Sequence, residues 1–297
     1  MAALTDHHPA APLAAPAPAP PVTRPRDRRR GTGRKLVLVL AGLYFLLPLA
    51  SSFVFTVHAP GQGISFEAYT GILTADGFTR SLLLSLGLAA ATITLVLLLA
   101  VPALIAVRLG APRLRPVVEA LCMLPLVLPP IALTAGLTTV LNWGPEYLAA
   151  TPLYQTFLAV QYEDFPLVLV LTYTVLALPF VHRSLDTGLR AVDLPVLVEA
   201  AQNCGARWPG IVVRVILPNL RAALASATFL TLALVLGEYT VAALLGFEPF
   251  AVWIVSVSGS QARMSVAVSL LSLLITWLLL LVLSRTGTRS TKEKPSP

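Results

Sequence analysis

Charge is scarce in this sequence. Asp, Glu, Lys and Arg make up 12% of its 297 residues, about half of the roughly 25% that a soluble domain uses to wet its surface. Residues of the AVILMFWYC set reach 56% and mean hydropathy is +0.80, which points to an integral membrane protein. Cysteine is nearly absent: Cys122 and Cys204 stand alone, and His7, His8, His58 and His182 are scattered. That excludes a disulfide scaffold and a zinc domain. No GxxxxGK[ST] or GxGxxG occurs, so neither ATP phosphates nor a dinucleotide is held by the usual loops. The apolar runs also lack the paired nucleophile and base of an intramembrane hydrolase. No catalytic residue, metal ligand or cofactor is expected.

The charge that is present is mostly basic, with a net value of +7. Nucleic acid accounts for it poorly, because seven basic residues (Arg24, Arg26, Arg28, Arg29, Arg30, Arg34, Lys35) precede the first apolar run and four (Arg285, Arg289, Lys292, Lys294) follow the last. Basic residues at the ends of spans favour the cytoplasmic leaflet. Residues 1–35 are rich in Pro, Ala and Arg, too poor in apolar surface to offset the entropy of ordering. They are expected to form a disordered cytoplasmic tail, with a second basic tail over 285–297. The first apolar run is too long for a cleaved export signal.

A span needs about 20 mostly apolar residues. Six segments meet or approach this: 36–57, 82–107, 117–141, 165–181, 222–247 and 264–284. With the first tail inside, 19 of the 21 Lys and Arg residues fall on the cytoplasmic side, leaving only Arg80 and Arg263 outside. Glu67, Asp76, Glu146, Glu163, Asp164 and Glu248 fall outside. This is the positive-inside pattern. It predicts an all-α, six-span protein in the cell membrane with both termini cytoplasmic.

The segment 182–221 is the long cytoplasmic connection. Leu185, Leu189, Val192 and Val196 recur at helical spacing, and Asp186 and Arg190 stand at i,i+4. Gly205 then offers a stop and Pro209 a fresh start. The spacing predicts a helix, a tight turn and a second helix lying between spans 4 and 5.

That segment contains Glu199-Ala200-Ala201, three residues, Gly205, nine residues, then Val215-Ile216-Leu217-Pro218. It resembles the EAA loop of ABC-transporter permease subunits, E-A-A-x3-G-x9-I-x-L-P, with Val215 in place of the usual Ile. Asp186-x-Gly188-Leu189-Arg190-x-x-Asp193 is similar to the family's lead-in, and the resemblance spans about residues 36–284. Glu199, Ala200, Ala201, Gly205, Val215, Leu217 and Pro218 then become the docking motif for a separate ATPase. Two alanines leave a flat strip for close packing, and Leu217-Pro218 turns the chain back toward the membrane. The resemblance implies the permease subunit of a bacterial binding-protein-dependent importer, without catalysis of its own. Its partners would be two ATPase subunits, a second permease (identical or homologous), an external substrate-binding protein and membrane lipid.

Glu238 is the one carboxylate within the fifth apolar segment. On a continuous helix it shares a face with Thr228 and Thr231, making the three a candidate substrate pathway. An interfacial position for Glu238 is the alternative reading. Gly237-Glu238-Tyr239 resembles a Gly-Glu-aromatic pattern of importer permeases. With the acidic external segments it leans toward a small cation, polyamine first. Thiamine, ferric iron or an oxyanion are the alternatives. An ion-coupled secondary transporter would favour an internal repeat and a midplane ionisable site; the sequence has neither.

Overall fold

The computed structural model describes residues 29–59 and 63–288. Most of the expected first tail, residues 1–28, lies outside them, as do 289–297. The helices are α1 (Arg29–Val57), α2 (Glu67–Thr70), α3 (Phe78–Gly110), α4 (Arg115–Met123), α5 (Pro130–Tyr147), α6 (Leu153–Val160), α7 (Leu167–Arg190), α8 (Leu194–Asn203), α9 (Trp208–Ile211), α10 (Leu217–Asn219), α11 (Arg221–Gly237), α12 (Thr240–Leu244), α13 (Phe250–Ser258) and α14 (Ala262–Thr288). His58–Ala59 and Gly63–Ile64 pair as a minimal antiparallel ladder. The chain up to Pro48 is one compact unit and Leu49 onward a second; helices α2 to α14 all belong to the second.

Among the described residues, three helices, α1 from Lys35, α3 and α7, are long and apolar enough to cross a membrane. Two further apolar stretches are bent pairs. Pro112–Leu126 meets α5 at 96°, and Trp208–Asn219 meets α11 at 77°. The expected continuous third span over 117–141 is therefore broken, with Pro129 extended and Pro130 opening α5. Proline has no N–H to give, and it disfavours helical geometry in the residue before it. Pro102 and Pro179, by contrast, sit inside unbroken helices. Helix α1 begins at Arg29, before the expected boundary at 36, and α14 runs past 284. Extending a formed helix needs no new nucleus.

The centre of the second unit is the packing of α3, α7 and α11 on one another. Small residues let these backbones approach, the usual solution where lipid removes the hydrophobic drive between helices. Ala89, Ala177 and Ala227 are buried, and a methyl on Gly188 would overlap Ala223. Leu104, Ile105, Val181, Leu185, Leu189, Leu194, Val198 and Ile216 form one core cluster. A second holds Leu88, Leu169, Tyr173, Val235 and Val241. A third, aromatic cluster joins Phe78, Phe250 and Trp253. There the Trp253 indole N–H donates to the Asp76 carbonyl at 2.9 Å.

Candidate functional site

The long connection is helix, turn, helix, but its boundaries differ from those expected. Leu185 and Leu189 belong to α7, which continues through Pro179 to Arg190 rather than ending near 181. Asp193, the third residue after Arg190, accepts the Val196 N–H on its carboxylate at 3.5 Å and opens α8. Leu194 and Val198 are buried in the core, which leaves the other side of α8 outward. Glu199 and Ala200 are exposed there, while Ala201 is half-buried and packs inward.

Gly205 closes α8 with φ +79°. The Ala206 N–H donates to the Ala201 carbonyl at 3.0 Å and the Gly205 N–H to that of Gln202 at 2.8 Å. These two bonds are a Schellman ending, which calls for a left-handed residue. A Cβ at Gly205 would meet nothing within 4 Å, so only the backbone demands glycine there. Next, α9 passes into a π turn, Val212–Ile216, and then α10. Val215 lies in that π turn and is half-buried; Leu217 is half-buried and Pro218 exposed. Val215 and Leu217 pack on the same core as Ala201. The structure thus brings all seven motif residues into one helical hairpin, hung from the end of α7 and turning into α11.

Glu238 is not where a continuous helix would put it. Helix α11 ends at Gly237, and Glu238 is extended at φ −78°, ψ 120°. Its carboxylate accepts the N–H groups of Val241 at 2.8 Å and Ala242 at 3.4 Å, so it caps the start of α12. The cause is local: glycine is a weak helix former, and a carboxylate stabilises orphan N–H groups. Thr231 is fully buried, with its hydroxyl donating to the Ala227 carbonyl at 2.9 Å. Thr228 is half-buried. The expected stripe of Thr228, Thr231 and Glu238 on one helical face is therefore broken after Thr231.

Sequence reasoning missed a polar cluster beside the hairpin. The Asp186 carboxylate accepts from Arg108 at 2.5 Å, Arg190 at 2.7 Å and Arg115 at 3.4 Å. Only the Asp186–Arg190 spacing was visible as a local pattern. Among the described residues, no group of three or more His, Cys, Asp or Glu side chains could hold a metal ion.

Residues 103–289 match the family model described as binding-protein-dependent transport system inner membrane component. The chain belongs to this family. A probable molybdenum ABC transporter permease protein of Haloferax volcanii is 31% identical over 285 residues, covering 86% of this chain and 95% of the relative. The molybdenum transport system permease protein of Mycobacterium tuberculosis is 30% identical over 176 residues, 59% of this chain and 65% of that protein. Among solved structures, a bacterial alginate ABC transporter in complex with an alginate-bound periplasmic protein matches at TM-score 0.52. That match has 17% identity and covers 91% of this chain and 99% of that one; it supports the fold. This inner membrane component is an all-α, multi-pass membrane protein of a transport system.

Proposed function

We propose that the chain is the permease subunit of an ATP-driven importer for an oxyanion of the molybdate kind. It forms half of the pathway with a second permease and docks a separate ATPase through α8. The observation that carries the docking role is the construction of α8: core residues on one side, Glu199 and Ala200 outward, and a fixed Schellman ending at Gly205. Membership of a binding-protein-dependent family supports an ATPase and an external binding protein as partners. The chain then performs no hydrolysis itself.

The polyamine expectation is withdrawn, because the relatives are named for molybdenum. The geometry also weighs against a cation, since the Glu238 carboxylate is engaged by backbone N–H groups. Molybdenum is carried in neutral water as a tetrahedral dianion.

Vesicles holding the permease, ATPase and binding protein should take up radiolabelled molybdate only with ATP. Excess tungstate should compete and spermidine should not. Uptake of spermidine with indifference to molybdate would overturn the substrate. For orientation, a reporter active only in the cytosol should work when fused after Arg115 or Arg190 and fail after Glu146. Activity after Glu146 would overturn the six-span arrangement with both termini inside.

A further inference from the structure

The last two turns of α7 carry more polar contacts than the packing of one helix requires. Arg108, in the last turn of α3, donates to the Asp186 carboxylate. It also donates to the main-chain carbonyls of Asp186 and Leu189, each at 3.1 Å. The Leu189 carbonyl is among the last four of a helix that finishes at Arg190, where acceptors lack intrahelical donors and a cation is favoured. The Asp186 carbonyl, one residue before those four, takes Arg108 as an additional donor. Arg108 and Asp186 are shielded, with side-chain exposures of 17% and 13%, whereas Arg115 and Arg190 are 39% and 58% exposed. On the same two turns Ser184 donates to the Ala223 carbonyl at 2.8 Å, and Gly188 lies directly under Ala223. The end of α7 is thereby tied to α3, α4 and α11 at once. Helix α8 starts after a link of three residues, and its Leu194 and Val198 share a core with Leu104, Ile105, Leu185 and Leu189.

We propose that Arg108 and Asp186 are positioning residues for transport: their pair locks the end of α7 to the end of α3. Displacement of α8 then moves the packed helices together instead of bending the Ala191–Val192–Asp193 link. This rests on the permease reading above, with α8 as the docking helix. Burial sets this pair apart from its neighbours. An exposed ion pair is weak and would slip under load, whereas a shielded, multiply hydrogen-bonded pair resists separation because parting it strands a charge.

The test uses the complete complex in vesicles, measuring ATPase retention, ATP hydrolysis and molybdate taken up per ATP. Asp186→Asn should keep the ATPase bound and hydrolysis within about twofold of the unaltered complex, yet lower uptake per ATP by at least about tenfold. Since removing one partner of a shielded pair can cost folding, a double variant, Arg108→Met with Asp186→Leu, accompanies it. It leaves only the exposed Arg115 and Arg190 charges, which water can solvate. An apolar pair of this kind maintains or improves stability but lacks the bonds to the α7 carbonyls. The expected result is a folded, ATPase-bound and uncoupled complex. Normal uptake per ATP in the double variant, or its failure to assemble, would make the cluster a folding element and overturn the proposal. Failure of the unaltered chain to retain any ATPase would instead sink the permease reading.

Discussion

Two stretches of the chain are assembled from the same local parts. In each, a long helix stops, a carboxylate accepts backbone N–H from the next turn (one at Asp193, two at Glu238), a short helix follows, and a left-handed glycine ends it. The first is α7, Asp193, α8 and Gly205; the second is α11, Glu238, α12 and Gly246. Gly246 has φ +80° and the same pair of closing bonds, Phe247 N–H to Ala242 and Gly246 N–H to Ala243. Each helix has a buried and an exposed side, Leu194 and Val198 against Glu199 and Ala200 in α8, Val241 and Ala242 against Leu244 in α12. Under the proposed permease reading the first is a handle for the ATPase and the second a fixed elbow.

The two glycines offer the strongest way to break this comparison. A valine at either opposes the left-handed backbone by about 1 kcal/mol or more, and at both positions a Cβ has open space. Gly205→Val should reduce uptake by about tenfold or more and weaken retention of the ATPase, with insertion and abundance unchanged. Gly205→Asn should retain most activity, because asparagine tolerates the left-handed region. Ala201→Asp should follow Gly205→Val at smaller amplitude, since Ala201 is half-buried and a charge is opposed by the core on its inner side. Co-purification of the ATPase reads both. Gly246→Val should act mainly on stability, because buried Val241 and Ala242 cannot follow the backbone. About 1 kcal/mol there corresponds to a fall of about 2–4 °C in Tm, measurable on the purified protein. Equal loss of ATPase binding from both valine variants would erase the contrast between handle and elbow.

The handle was largely legible in the sequence. A glycine at 205 between two apolar-periodic segments marks a helix end, since its freedom at positive φ suits a left-handed closing residue, and the motif spacing located the turn. Its borders were less so, because Leu185 and Leu189 keep helical spacing whether they open a new helix or finish an old one. Pro129-Pro130 did carry the break before α5, but Pro179, of the same residue type, sits in an unbroken helix. Only the neighbouring helices decide between those outcomes. The Arg108–Asp186 pair joins residues 78 apart, a relation no local period encodes. The elbow was the hardest to see. Apolar sequence continues on both sides of Gly237-Glu238, so a cap and a pathway carboxylate look alike until the backbone is known.

Glu238 gives the smallest expected effect and the sharpest distinction. As a cap, its carboxylate accepts the Val241 N–H at 2.8 Å and the Ala242 N–H at 3.4 Å. Glu238→Gln keeps one carbonyl oxygen for the shorter bond and gives up the weaker bond to Ala242, since its amide nitrogen cannot accept, together with the charge on the orphan N–H groups, about 0.3–1 kcal/mol. Glu238→Ala removes both bonds at about 1 kcal/mol. If Glu238 serves as a cap, stability and uptake should fall together, in the order Ala below Gln below Glu. A carboxylate that instead handles the solute by its charge would make Gln as damaging to uptake as Ala, with Gln leaving Tm near that of the unaltered protein. Melting and uptake measured on the same three proteins separate the two. Since the proposed solute is an anion, removal of this negative charge is not expected to slow its passage, and uptake in Glu238→Gln should remain within about twofold of the unaltered protein.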